Sequence, residues 1–244
     1  VRLADGETVP ADVVIANCDA STLYGRLLPQ ERTSRDVLRS IQKAGLSFSG
    51  FVLLLAVRGR TPGMAHHTVL FPEDYDDEFD SLFGTSRRAA RPVPDPAIYI
   101  CNPDDELMRP PDHESWFILV NAPRQTDPNG PDNQPGTLDW HTPGLAQDYA
   151  DRVLDRMATR GLDVRDRLLW RVVRTPADLE AETGAPGGAI YGTSSNGQRA
   201  AFLRPANRSG IPGLYLVGGS SHPGGGLPLV GMSAEIVSDL VGDA

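Results

Sequence analysis

Glycine carries the densest chemical signal in this chain. The run Gly213-Leu214-Tyr215-Leu216-Val217-Gly218-Gly219-Ser220-Ser221-His222-Pro223-Gly224-Gly225-Gly226-Leu227-Pro228 joins a short apolar stretch to a glycine-dense turn. A helix-like pattern then continues through Asp239. Glycine lets the main chain reach positive φ and lets a ligand approach it closely. A strand, a glycine turn and a helix N-terminus together present free N–H groups and a positive dipole end to an anionic or electron-rich ligand. Neither G-x-G-x-x-G nor G-x-x-x-x-G-K-[ST] occurs: Leu229 stands where a third fingerprint glycine would follow Gly224 and Gly226. The rest of such a site must come from elsewhere.

Other reactive side chains have plainer readings. His222 sits inside the glycine turn, where a structural hydrogen-bonding role is favoured over a place beside a ligand. His66-His67 precedes Val69-Leu70 and could line a substrate channel. Neighbours on a strand point to opposite faces, and no third ligand lies nearby in sequence, so no metal is expected there. The acids Glu73, Asp74, Asp76, Asp77, Glu78 and Asp80 lack the spacing of a calcium loop and read as a solvated helix face. Ser220-Ser221-His222 lacks the second glycine of a nucleophile elbow. Asn207-Arg208-Ser209 is formally a glycosylation sequon without meaning in a cytoplasmic protein.

The elements that position these groups mix strands and helices. A hairpin around Asp5-Gly6 leads to Val13-Val14-Ile15, read as a buried strand. Helices are expected from Asp19 or Ser21 through Leu28, over Glu31 to Lys43, from Pro72 to Phe83 and from Gly144 to Gly161. In the last, Leu145, Tyr149, Val153 and Met157 recur at spacing four. Strands are expected over Ser47–Val57, as a central strand, then Ala97–Cys101, Trp116–Val120 and Leu168–Val173. Thr175-Pro176 followed by Asp178 marks a helix start that runs to about Glu182. Phe48, Phe51, Leu53, Leu55 and Val57 alternate on one face, either as core or as the wall of an apolar tunnel. Residues 121–144 are rich in Pro, Asn, Asp and Gly and read as a long surface loop.

Composition narrows the classes. A chain of 244 residues, 40% apolar and 23% charged, is long enough for one or two globular domains. A net charge of −9 without a basic block argues against a nucleic-acid partner. Cys18 and Cys101 form no metal spacing and suit a reducing, cytoplasmic setting. No apolar run approaches the ~20 residues of a membrane span.

Together these residues resemble the phytoene desaturase-type carotenoid desaturases, FAD-dependent enzymes of the wider flavin amine oxidase-like group. The Gly213–Gly226 run closed by Ser233 carries most of the likeness. Gly187-Gly188-Ala189-Ile190-Tyr191-Gly192, Arg204-Pro205-Ala206-Asn207 and Ala11-Asp12-Val13-Val14-Ile15-Ala16-Asn17-Cys18-Asp19-Ala20 extend it along the chain.

The resemblance implies an α+β / α/β chain forming the C-terminal part of a two-domain FAD-dependent oxidoreductase. A Rossmann-like FAD domain would be completed by an absent N-terminal half, and a mixed sheet-and-helix domain would bind substrate. Residues 1–19 and 200–244 would belong to the FAD domain, and residues 20–199 to the substrate domain. Gly218 and Gly219 would approach the pyrophosphate and ribityl chain of FAD. Gly226, Leu227 and Pro228 would lie near the isoalloxazine, and Ala16 and Asn17 would end a strand passing the cofactor. The implied reaction is desaturation of phytoene or a related carotenoid, hydroxycarotenoids included, with hydride passing to flavin. No side chain of this half is assigned as the proton acceptor. A carotenoid or other long apolar substrate and the missing half would be the partners, with peripheral contact to the cytoplasmic membrane through loops or through the missing half. The isolated chain is expected to be inactive. Two other readings stay open: a flavin oxidoreductase of the same architecture acting on an amine or other apolar substrate, and a truncated, non-enzymatic binder of an apolar ligand.

Overall fold

A computed structural model describes residues 1–129, 134–194 and 204–242. In chain order the elements are β1 (Val14–Ala16), α1 (Ala20–Thr22), α2 (Arg35–Ala44), β2 (Ser49–Arg58), β3 (His67–Leu70), α3 (Asp76–Phe83), β4 (Ile98–Cys101), β5 (His113–Ala122), β6 (Arg124–Gln125), β7 (Thr137–Leu138), α4 (Leu145–Thr159), β8 (Leu168–Arg174), α5 (Pro176–Thr183), β9 (Leu214–Leu216) and α6 (Leu227–Val241). The chain is thus a mixed α/β protein. It divides into two compact units, Val1–Ser47 with Thr183–Ala244, and Phe48–Glu182.

The unit of residues 48–182 is built on a five-stranded sheet in the order β3-β4-β5-β2-β8. β2 pairs antiparallel with β5 from Ser49↔Ala122 to Arg58↔His113, and on its other edge with β8. It is the internal strand that its apolar composition predicts. Alternation sorts its side chains cleanly: Phe51, Leu53, Leu55 and Val57 are at most 2% exposed. They pack with Ile98, Ile100, Trp116 and Ile118 against α4. Tyr149, Ala150, Val153, Leu154 and Met157 form the buried stripe of that helix, as spacing four dictates. The Phe51 ring lies 5.4 Å from Trp140 and 4.9 Å from Tyr149.

Residues 121–144 are more structured than their composition suggests. β6 and β7 pair in parallel, and Trp140 is buried. Its backbone N–H donates to Gln125 Oε1 at 2.8 Å and its indole N–H to the Pro123 carbonyl at 2.8 Å. Buried side-chain hydrogen bonds replace the missing periodicity there; residues 130–133 lie outside the described residues.

In the other unit, β1 and β9 form a two-stranded parallel sheet in the register Val14↔Leu214 to Ala16↔Leu216. Asp19 caps α1 through Ser21 N–H at 2.8 Å, and Ser34 caps α2. Ala20, Leu23, Tyr24 and Ile41 pack with Leu216 of β9. That packing places residues 20–47 with β1 and β9, so this unit changes at 47/48, whereas the family resemblance set a boundary at 19/20. The unit resumes at Thr183, while the other expected boundary, 199/200, lies outside the described residues. The strand expected at Val13-Val14-Ile15 forms, but it is not buried: Ile15 is 53% exposed.

Candidate functional site

Because β1 and β9 run parallel, both end on the same side, the side where ligands bind in open α/β sheets. Ala16 closes β1, and its carbonyl accepts the Val217 N–H at 3.0 Å. Asn17 and Gly218 meet just beyond. Gly218 has φ +108°, and a Cβ there would lie 2.4 Å from Asn17 Oδ1, so only glycine fits. Gly219 follows; a Cβ there would lie 3.4 Å from Gly225 Cα and 3.9 Å from a Val230 methyl group.

A buried amide fixes this turn. Asn207 Nδ2 lies 3.0 Å from the Leu216 carbonyl, 2.8 Å from the His222 carbonyl and 3.0 Å from Ser233 Oγ. Ser233 Oγ in turn accepts the Gly218 N–H at 3.2 Å, and Ser221 Oγ donates to the Gly218 carbonyl at 3.0 Å. His222 joins through its main chain, its N–H donating to the Pro205 carbonyl at 2.9 Å, while the residue itself is exposed. Arg204 Nη1 donates to the carbonyls of Tyr191 at 2.6 Å and Gly219 at 3.0 Å. Burial lowers the Arg204 pKa from its ordinary value; an arginine starts so high that the cation persists.

The last glycines divide by role. A Cβ on Gly224 would approach Arg204 Nε to 3.1 Å, and one on Gly225 would strike the Tyr191 ring at 2.4 Å. Gly226 instead has φ +98° and nothing within 4 Å of its would-be Cβ. It leads α6 without a side-chain cap, and Leu227 beside it is 90% exposed. Pro228 supplies no N–H. The opening therefore combines uncapped helix N–H groups, glycine backbone and apolar side chains, with no carboxylate anywhere from residue 213 to 228. A large, flat group that carries hydrogen-bond acceptors and a phosphate anion fits these properties. The sequence-predicted residues thus fall at two places, Ala16, Asn17, Gly218 and Gly219 at the strand ends, and Gly226, Leu227 and Pro228 at the head of α6.

In the unit of residues 48–182, the face of the sheet away from α4 is apolar and partly open. Its registers align His67, Cys101, Phe117, Leu54 and Val172 across all five strands. Phe117, Trp170 and Val172 are 39%, 57% and 38% exposed. The tunnel-wall alternative for Phe51, Leu53, Leu55 and Val57 therefore fails, because those side chains are core; Phe48, half-buried and ahead of β2, is out of step with their alternation, and the even-numbered residues of β2 face the open side. The two histidines also depart from expectation. His66 lies in the bend before β3, its carbonyl accepting the Asn102 N–H at 2.8 Å. Strand alternation does not reach it, and the His66 and His67 rings come within 4.4 Å. Within the acidic helix, Glu78 is fully buried instead of solvated, accepting the Ala97 N–H and Asn121 Nδ2, both at 2.8 Å.

No family model matches the chain. Curated proteins do match, along nearly all of it. It is 34% identical to the hydroxyneurosporene desaturase of Rubrivivax gelatinosus, over 98% of this chain and 43% of that protein. It is 31% identical to the lycopene-forming phytoene desaturase of Pseudescherichia vulneris, over 99% and 47%. It is 32% identical to the 4,4'-diapolycopene oxygenase of Methylomonas, over 99% and 46%. By sequence, nearly the whole chain is similar to proteins of the carotenoid desaturase and oxygenase family. It spans about half the length of the curated relatives it matches. Among solved structures, an oxidoreductase from Methanosarcina mazei aligns over 96% of this chain and 44% of its own at a TM-score of 0.49 and 12% identity.

Sequence reasoning on single residues passed over Asn207 and Ser233 as site residues. Both lie in segments that carry the family likeness. Their pairing is a contact across 26 positions, which no local pattern reports.

Proposed function

We propose that the chain is the C-terminal part of an FAD-dependent oxidoreductase that desaturates a carotenoid. The observation that carries this reading is the whole-length likeness to named carotenoid desaturases. The glycine geometry supports it. In this reading the unit with β1 and β9 is the flavin side, and residues 48–182 are the substrate side. Ala16 and Asn17 pass the cofactor, Gly218 and Gly219 face its pyrophosphate and ribityl chain, and Gly226, Leu227 and Pro228 lie beside the ring system. Arg204 adds positive potential behind Gly219. The flavin, when bound, supplies the hydride acceptor. The chain's own part is to hold a long polyene and exclude water, for which Leu54, Phe117, Trp170 and Val172 offer an apolar surface. No helix among the described residues is long and apolar enough to cross a membrane. A membrane-borne substrate would then be met by peripheral contact.

The oxygenase named among the relatives favours a second reading, in which oxygen is added to the same class of substrate. The gene product carrying this chain, purified with its flavin, should be given phytoene and a hydroxylated carotenoid. Products lighter by pairs of hydrogen atoms support desaturation, and products heavier by oxygen support the second reading. Gly226→Ala adds a methyl group to open space but strains a backbone held at φ +98°, so it should cost about 1–2 kcal/mol of stability, retain flavin several-fold less well and turn over more slowly. Gly218→Ala collides with Asn17 and should cost about 1–3 kcal/mol of stability. Full flavin occupancy and turnover in a folded Gly226→Ala protein would remove this glycine from the site.

A further inference from the structure

We propose that His66, His67 and Cys101 form a binding site for a zinc-class divalent transition-metal ion. Each offers one ligand atom, and the three atoms lie within 4.8 Å of one another. Their assembly comes from the fold. The β3–β4 register sets His67 directly across from Cys101, and the bend before β3 turns the His66 ring back beside its neighbour. Around a tetrahedral ion with metal–nitrogen and metal–sulfur distances of about 2.0 and 2.3 Å, neighbouring ligand atoms sit roughly 3.3–3.6 Å apart. The two exposed histidines and the half-buried cysteine can close that difference by side-chain rotation alone. Tyr99 Oη lies 2.8 Å from His67 Nδ1 and restrains the ring from the next row of the same sheet face, the role that partners of metal-ligating histidines commonly play.

Two imidazoles and a thiolate select Zn²⁺ or copper over Mg²⁺ and Ca²⁺, which prefer oxygen. Three protein ligands leave a fourth position facing solvent, the arrangement of an open site. Binding replaces the Cys101 thiol proton, which passes to solvent. The site lies at the β3 end of the row that continues through Phe117, Leu54 and Val172. It stands independently of the flavin reading.

The test uses the full chain without a histidine tag, stripped with a chelator and titrated with Co²⁺. One equivalent should bind, with thiolate-to-cobalt charge-transfer absorption and the strong visible bands of four-coordinate cobalt, and Zn²⁺ should bleach both. Cys101→Ser should abolish the charge-transfer band, while Cys18→Ser leaves it unchanged. His66→Asn, at an exposed position, should weaken binding by at least about tenfold without altering the unfolding midpoint. It keeps the test decisive if Cys101→Ser folds poorly. Absence of stoichiometric binding, a charge-transfer band that survives Cys101→Ser, or unchanged affinity in His66→Asn would overturn the proposal.

Discussion

Glu114 shows how one side chain can make a fold pH-dependent. It is 1% exposed, and burial alone would push its pKa up. Hydrogen bonds outweigh that: the Thr61 hydroxyl at 2.7 Å, the Thr61 N–H at 2.8 Å, Asn102 Nδ2 at 3.1 Å and the Trp116 indole at 3.2 Å. Arg60 and Arg167 stand at 3.8 and 4.0 Å. The net result is a pKa below the ordinary glutamate value. The unfolded chain therefore binds this proton more readily than the folded one. The stabilisation is complete above the unfolded value of about 4.3 and is lost as pH falls through the folded value. Glu114→Gln places an amide NH₂ against donors and should cost about 1–3 kcal/mol at neutral pH. Denaturant unfolding across pH 3 to 7 should give wild type a steeper acid loss than Glu114→Gln, and parallel curves would show that Glu114 is not the group responsible.

A strand has two faces, and the β2 and β5 sequences report one more clearly than the other. Phe51, Leu53, Leu55 and Val57 are large and apolar at every second position, so their packing against α4 follows from alternation and a helix with stripe spacing four. Leu54, Phe117 and Val172 are equally apolar, and nothing in their order says that this face stays open. That depends on which elements cover which side of the sheet. The same limit hid the histidine–cysteine cluster, created by pairing between strands 34 positions apart at His67↔Cys101, and the Asn207–Ser233 contact. The glycine turn was legible because positive φ and a helix start are local demands. The two faces should respond differently to mutation. Ile118→Ala, in the closed core, should cost about 2–5 kcal/mol. Phe117→Ser, one residue away, should cost clearly less and, on the proposed substrate reading, should weaken binding of a carotenoid, measured by quenching of tryptophan fluorescence. Equal stability losses at the two positions would mean the second face is covered too.

At the scale of the whole chain, the two units differ in how much backbone pairing each contains. β2 and β5 are paired through ten consecutive positions, and β2 is bonded on both edges. Their side chains enter one continuous core with α4. β1 and β9 share only three paired positions and form a parallel sheet of two strands. Parallel sheets are ordinarily covered on both faces, and two strands seldom hold together unaided. α6 is among the most apolar segments, yet only Ser233 and Val237 of it are buried, and Leu227 and Met232 are 90% and 50% exposed. Such a unit draws little of its stability from its own sheet. Unfolding of this chain should accordingly not be two-state. In native-state hydrogen exchange at rising denaturant, the amides of Val14, Leu216 and Val217 should lose protection first. Those of Leu53, Leu55 and Ile118 should persist to the highest free energy of opening. A single shared opening energy would refute the argument, because it would require the short parallel sheet to be as firmly held as the five-stranded one.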